Sequence, residues 1–175
     1  MKRLAVFVMI IPLIFLCCEG EKKAEQKAED FMRLPITSLE GVITQSGVQF
    51  DTEITSDGNG SLLIDAKGSM VVRLFEIEDP DVEKARIIYQ AKMRTKDLDG
   101  DAYLEILCDF KGLGTFFGRG LDDYLTGTNQ WSAVQTSFLY NEDENPTLIK
   151  LNLIITGPGK VWIDDIRLLK GPLKM

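Results

Sequence analysis

The sequence predicts an all-β protein: a two-sheet antiparallel jelly-roll β-sandwich behind an N-terminal signal and lipid-anchor segment. Three observations carry that fold class. From Phe31 onward, short apolar or alternating segments are punctuated by Gly, Asn, Asp and Pro turns. No strand-helix-strand rhythm and no fixed-period repeat interrupts them, and the one helical stretch, residues 80–85 (PDVEKA), amounts to a single turn. The chain has 175 residues, 45% hydrophobic and 27% charged, which is ordinary composition for one globular domain.

The N-terminus reads as a targeting segment. Met1, Lys2 and Arg3 are followed by an uncharged apolar run, Leu4 to Leu16, that is broken by Pro12 and falls short of the ~20 residues needed to cross a bilayer. The run ends at Cys17-Cys18 and turns polar at Glu19. Apolar residues leading into a cysteine resemble the lipobox of bacterial lipoproteins, in which the cysteine is acylated and becomes the mature N-terminus. Cys18 is the better lipidation candidate and Cys17 the second; an uncleaved anchor is the alternative. The resemblance implies a bacterial cell-envelope protein, lipid-anchored to a membrane and facing the periplasm or the exterior. Residues 1–18 are thus the signal peptide, 19–30 (EGEKKAEQKAED) a charged tether with no apolar face to bury, and 31–175 the sandwich domain.

Strands are expected at 48–54, 61–66, 70–77, 87–95, 102–110, 131–140, 147–156 and 160–169. Turns fall at 57–60, 97–101, 141–146 and 157–159. Residues alternate between faces along a strand, so Ala102, Leu104, Ile106, Cys108 and Phe110 share a core face, and Tyr103, Glu105, Leu107 and Asp109 oppose it. Gln90, Lys92 and Arg94 lie opposite Ile87, Tyr89, Ala91 and Met93, while Lys150 and Asn152 lie opposite Ile149, Leu151 and Leu153. Strict alternation in 161–168 places Asp164 with Trp162, Ile166 and Leu168, an acid among core residues, and so implies a bulge or a special site. Residues 110–127 (FKGLGTFFGRGLDDYLTG) form a long insertion carrying Phe116, Phe117, Arg119, Asp122, Asp123 and Tyr124. It either caps an open end of the sandwich or acts as a recognition loop.

Several function classes drop out. Histidine is absent, which excludes Ser-His-Asp and Cys-His nucleophiles and His-ligated metals. A formal charge of −7 makes nucleic acid a poor partner. Cleavage before Cys18 removes Lys2 and Arg3, leaving 18 basic against 27 acidic residues and a charge of −9, so anionic lipid would not hold the chain by charge. Cys108 is then the only thiol beyond the anchor, and no disulfide framework exists.

The closing segment GPGKVWIDDIRL, Gly157 to Leu168, resembles the final strand of jelly-roll carbohydrate-binding modules of the galactose-binding-domain-like superfamily, as do DGNGSL at 57–62, the Ala102-Tyr103-Leu104 strand, and Gly127-Thr128 with Trp131. This resemblance implies a sandwich with Trp131 packed as structure. It also implies a structural Ca²⁺ held by Asp164 with an early loop that includes Asp51, Asp57 and Asn59. The alternative for Asp164 is hydrogen bonding to backbone amides at a bulge, or pairing with a nearby Lys. Sugars are recognised by planar hydrogen-bonding groups beside an aromatic face. The candidate ligand set is Tyr103, Arg94, Glu105, Lys92 and Asn152, with Phe117, Arg119 and Tyr124 of the 110–127 segment as one wall. An ordinary solvated sheet is the competing account. The expected function is a membrane-tethered, non-catalytic envelope module that recognises glycan, and the alternative is a protein-interaction or scaffold lipoprotein without a carbohydrate ligand. An enzyme ranks third, because adjacent acids such as Asp122-Asp123 and Asp164-Asp165 are usually solvated turn residues.

Overall fold

The computed structural model describes residues 28–173. It consists of nine antiparallel strands with no helix among the described residues: β1 (Glu29–Leu34), β2 (Val48–Asp51), β3 (Ser61–Ala66), β4 (Met70–Glu78), β5 (Ala85–Phe110), β6 (Gly114–Arg119), β7 (Leu125–Tyr140), β8 (Leu148–Ile155) and β9 (Gly159–Gly171). One hydrogen-bonded sheet folds over onto itself, and β5 is the strand that makes the fold-over. Its first half runs between β9 and β7. Its second half runs between β8 and β6. One layer is therefore β2-β3-β9-β5-β7, with β1 beside the far half of β9, and the other is β4-β8-β5-β6. The register of β5 against β7 is irregular between Met93 and Asp101, where the chain passes from layer to layer.

The core between the layers follows the alternation. Ile87, Tyr89, Ala91 and Met93 meet Ala102, Leu104, Ile106 and Cys108 from the other half of the same strand, together with Ile149, Leu151 and Leu153, all fully buried. The predicted bulge is present in β9. Gln90 pairs with Arg167 but Lys92 with Asp164, so three β9 steps oppose two on β5, and Asp165 takes a positive φ of 49°. The face reverses there. Val161 and Ile163 point inward before the bulge, Ile166 and Leu168 after it, and Trp162 and Asp164 are freed to the outer side.

Four expectations need correction. Residues 80–85 form no helix: Asp79 and Lys84 adopt positive φ, and the side chain of Asn145 accepts the Val82 and Glu83 N–H groups, fixing an irregular loop. Residues 97–101 are a bend inside one continuous strand rather than a turn between two. The 110–127 segment is a hairpin with its own strand, β6, rather than a loop, because Phe116 and Phe117 pair with Cys108 and Leu107. Strand β1 begins at Glu29, inside the expected tether, because it completes the edge of β9. Cys17, Cys18, the signal segment and tether residues 19–27 lie outside the described residues.

Cys108 is buried, with its sulfur 2.8 Å from the Tyr140 hydroxyl. Burial pushes the thiol pKa up to about 12 against the partial relief of that hydrogen bond. Since the thiolate is the nucleophile, a thiol-specific disulfide reagent at pH 8 is expected to label Cys108 only after denaturation; labelling in the folded chain at the rate of free cysteine would contradict this packing.

Candidate functional site

The outer face of the four-stranded layer gathers most of the candidate residues. Its cross-strand rows follow from the register. Arg73 on β4 opposes Asn152 on β8, which opposes Glu105 on β5, which opposes Arg119 on β6. On one side of this row lie Val71, Ile154 and Tyr103, and on the other Glu76, Lys150, Leu107 and Phe117. Adjacent strands are ~4.8 Å apart, so the central row spans about 14 Å. Tyr124, half exposed, sits one residue before the Leu125–Ala102 pair, at the edge of the same face.

The centre of this face is unusually dry for an outward surface. Glu105 is 5% and Asn152 3% exposed. Glu105 accepts from Asn152 Nδ2 at 3.1 Å through Oε1 and from Arg119 Nε at 2.5 Å through Oε2, so both carboxylate oxygens are fixed. The Glu105 carboxylate holds the Arg119 guanidinium above its ordinary pKa. Arg119 in turn lies over the Phe117 ring, 4.3 Å from its centroid, while Phe117 stays 57% exposed. Asn152 Oδ1 is buried without a hydrogen-bond donor among the described residues. One row further, Asp109 accepts from Lys150 at 2.7 Å and from Thr115 at 2.5 Å, and these two bonds, Lys150's first, hold its carboxyl below the usual range.

Five of the eight ligand candidates, Tyr103, Glu105, Asn152, Phe117 and Arg119, are thus brought together, and Tyr124 borders them. Arg94 and Lys92 are not. They lie on the first half of β5 and so on the outer face of the other layer, where Arg94 donates to Gln130 at 2.8 Å and covers the Trp162 ring. The fold-over at 95–101 separates them from Tyr103. Arg73 is the residue that sequence reasoning missed. Its signal was present, a lone cation on the polar parity of an apolar strand, but β4 had not been assigned a place beside β8.

The four residues expected to hold calcium fall into three separate hydrogen-bonded sets. Asp164, 1% exposed, accepts the Ser56 N–H at 2.8 Å through Oδ2 and the Asp165 N–H at 2.7 Å through Oδ1. For Asp51, burial works to raise the pKa, but the Trp162 indole N–H and the Ile54 and Glu53 N–H groups outweigh it and lower it. Asp57 and Asn59 bond each other within their own turn. No three acidic or thiol side chains converge among the described residues, so most of the 6–8 oxygens that Ca²⁺ takes would have to come from Asn59, backbone carbonyls or water. Backbone donors satisfy the buried charge of Asp164. Asp164→Asn is expected to cost about 2 kcal/mol, the worth of hydrogen bonds to a charged group. The melting temperature of the unsubstituted protein is expected to be the same in chelator and in millimolar calcium; a calcium-dependent rise would establish the ion.

With the geometry in hand, comparison with solved structures is informative about architecture. The chain shares its fold with the CBM22-1 xylan-binding domain of Paenibacillus barcinonensis Xyn10C, at TM-score 0.60 and 14% identity over 84% of this chain and 97% of that one. It matches the Clostridium thermocellum CBM22-1–GH10 modules of an endo-1,4-β-D-xylanase, complexed with xylohexaose, at TM-score 0.61 and 8% identity, covering 80% of this chain but only 28% of the other. A family 16 carbohydrate-binding module gives TM-score 0.53 at 13% identity over 76% of this chain and 96% of that one. The fold is the jelly-roll β-sandwich of carbohydrate-binding modules. No protein-family model matches the sequence, and no curated protein matches it. At such identities the likeness establishes the fold alone, and function has to be argued from the site.

Proposed function

We propose that this chain is a non-catalytic binding module of the cell envelope, tethered to a membrane through Cys18 or Cys17, that recognises a glycan on the outer face of the β4-β8-β5-β6 layer. The observation that carries this reading is the buried Glu105–Asn152 pair at the centre of an outward face. Charges on a solvated sheet normally stand in water, whereas these planar groups are dry, fixed in orientation and bordered by Tyr103 and Phe117. Fixed planar acceptors and donors match sugar hydroxyls, and aromatic faces match the apolar face of a pyranose ring. The solved neighbours, named for carbohydrate binding, support the same reading. The charged n-region, the short apolar run and the terminal cysteines support the tether.

Catalysis has little foothold on this face. Of the carboxylates on this face, Glu105 and Asp109 are four residues apart on β5, ~13 Å by strand geometry, and Glu76 and Glu78 stand two strands away on β4, about 10 Å, at or beyond the ~5–9.5 Å that glycoside hydrolysis uses. Asp109 is also committed to Lys150 and Thr115.

A glycan array probed with the purified full-length protein, followed by isothermal titration of the best hit, tests the proposal. Tyr103→Ala is expected to weaken binding about tenfold, the worth of one aromatic stacking contact. A hit that Tyr103→Ala binds unchanged removes this face as the site. An array without hits favours the scaffold alternative.

A further inference from the structure

The described chain enters the sandwich at one end, and that end also carries an exposed apolar cluster. Glu29 pairs with Lys170, and Gly171 with Arg86. Arg86 in turn pairs with Leu139, two strands or about 10 Å from Gly171. The turn joining β5 to β6 reaches the same end, because Phe110 packs against Phe138 and Tyr140, and Phe116 against Phe110. Leu113 is 71% exposed there, Phe116 47%, Leu139 52% and Leu173 36%. Beside Leu113, Phe116 and Leu139 lies a recess of about 220 Å³, walled by Phe110, Leu113, Phe116, Phe138 and Leu139 together with Asn141 and Glu144. Exposed apolar patches rimmed by polar residues mark contact surfaces.

Chain length decides what covers this patch. Nine residues, 19–27, separate Cys18 from Ala28, so an acylated Cys18 lies at most ~35 Å from the point of entry. The thirteen residues of β9 make the sandwich about 40 Å long. The end that receives the tether is therefore kept within ~35 Å of the anchored residue, whereas the opposite end can lie as far as about 75 Å from it.

We infer that Leu113, Phe116, Leu139 and Leu173 form a seat that inserts at the lipid–water interface and stands the sandwich upright on the membrane. This rests on the tether proposed above. It adds an orientation: the rows of the glycan face run outward from the seat, with Phe117 nearest the membrane and Tyr103 further out. The flanking loop carries Glu142, Asp143 and Glu144, with Lys84 paired to Glu142 and Lys111 in the same turn as Leu113, so neither sign of charge dominates and contact with a zwitterionic surface comes from apolar burial.

The experiment uses the full-length acylated protein reconstituted into phosphatidylcholine vesicles with and without brominated acyl chains. Tryptophan is placed at the seat by Leu113→Trp or Phe116→Trp, and at the far end by Val71→Trp, which is also exposed. The bromolipid is expected to quench the added seat fluorescence about twofold, in keeping with shallow interfacial burial. The Val71→Trp emission and that of the unsubstituted protein are expected to stay unchanged. Protein that sediments with vesicles but shows no seat quenching keeps the tether and overturns the seat. Protein that fails to sediment overturns both. A dimer whose seat tryptophans are shielded even from a soluble quencher assigns the patch to a second copy and also overturns the seat. Leu113→Trp lies in an exposed turn, so it keeps the test valid if Phe116→Trp disturbs the aromatic cluster.

Discussion

Gly157→Ala is expected to lower stability by about 4 kcal/mol, at the upper end of single-residue effects, and to drop the melting temperature by about 10 °C. The cause is a backbone-on-backbone contact. Gly157 and Gly159 form the turn between β8 and β9, and that turn lies against the bend of β5 at residues 97–101. A methyl group on Gly157 would overlap the carbonyl oxygen of Asp99, and one on Gly100, whose φ is 142°, would come within 2.7 Å of the Gly157 nitrogen. The two segments are also tied by hydrogen bonds, from the Asp99 N–H to the Pro158 carbonyl at 2.8 Å and from the Thr156 N–H to the Asp101 carbonyl at 2.9 Å. Neither backbone can retreat without breaking them. Gly68→Ala is the control: it has open space and is expected to stay within about 0.5 kcal/mol of the parent. A Gly157→Ala protein with the parent's melting temperature would mean that β5 crosses between the layers by some other contact.

That contact also explains what was legible in the sequence. The pattern of 97–101 and the glycines of 157–159 both read as turns, because Gly, Pro and Asp signal local backbone geometry. That the two would pack on each other is a non-local fact with no local signature. Treating 97–101 as a turn made 87–95 and 102–110 look like neighbouring strands with a common polar face. The structure makes them two halves of one strand in different layers, which is why Arg94 and Lys92 fall away from Tyr103. Parity succeeded within each strand, since one buried face fixes the alternation: Tyr103, Glu105 and Asn152 were selected that way. It also located the β9 bulge, because an acid at the position of Asp164 conflicts with unbroken alternation. Strands β1 and β6 were missed for another reason. They are edge strands, paired on one side and short of buried residues, so Glu29–Leu34 and Gly114–Arg119 lack the apolar rhythm that announces an inner strand.

Glu105→Ala is expected to cause the largest loss of glycan binding of any single substitution on this face while leaving the fold intact. The carboxylate is the hub of the proposed site, with one oxygen fixing the Asn152 amide and the other fixing Arg119, which stays over Phe117. Removing it releases three groups at once, so the loss should exceed that of any single contact and reach about 100-fold, the scale of losing a buried charge-bearing hydrogen-bond partner at an interface. The stability cost should be smaller, about 1–2 kcal/mol, because Arg119 is 43% exposed and can turn to water once freed. Glu105→Gln separates the two roles. It keeps an acceptor for Asn152 but loses the charge that holds Arg119, and it is expected to bind at an intermediate level. Titration of the three proteins with one glycan, each with its melting curve, provides the check. Equal affinity in all three would show that the buried pair serves the sheet rather than a ligand, and the scaffold reading would then take precedence.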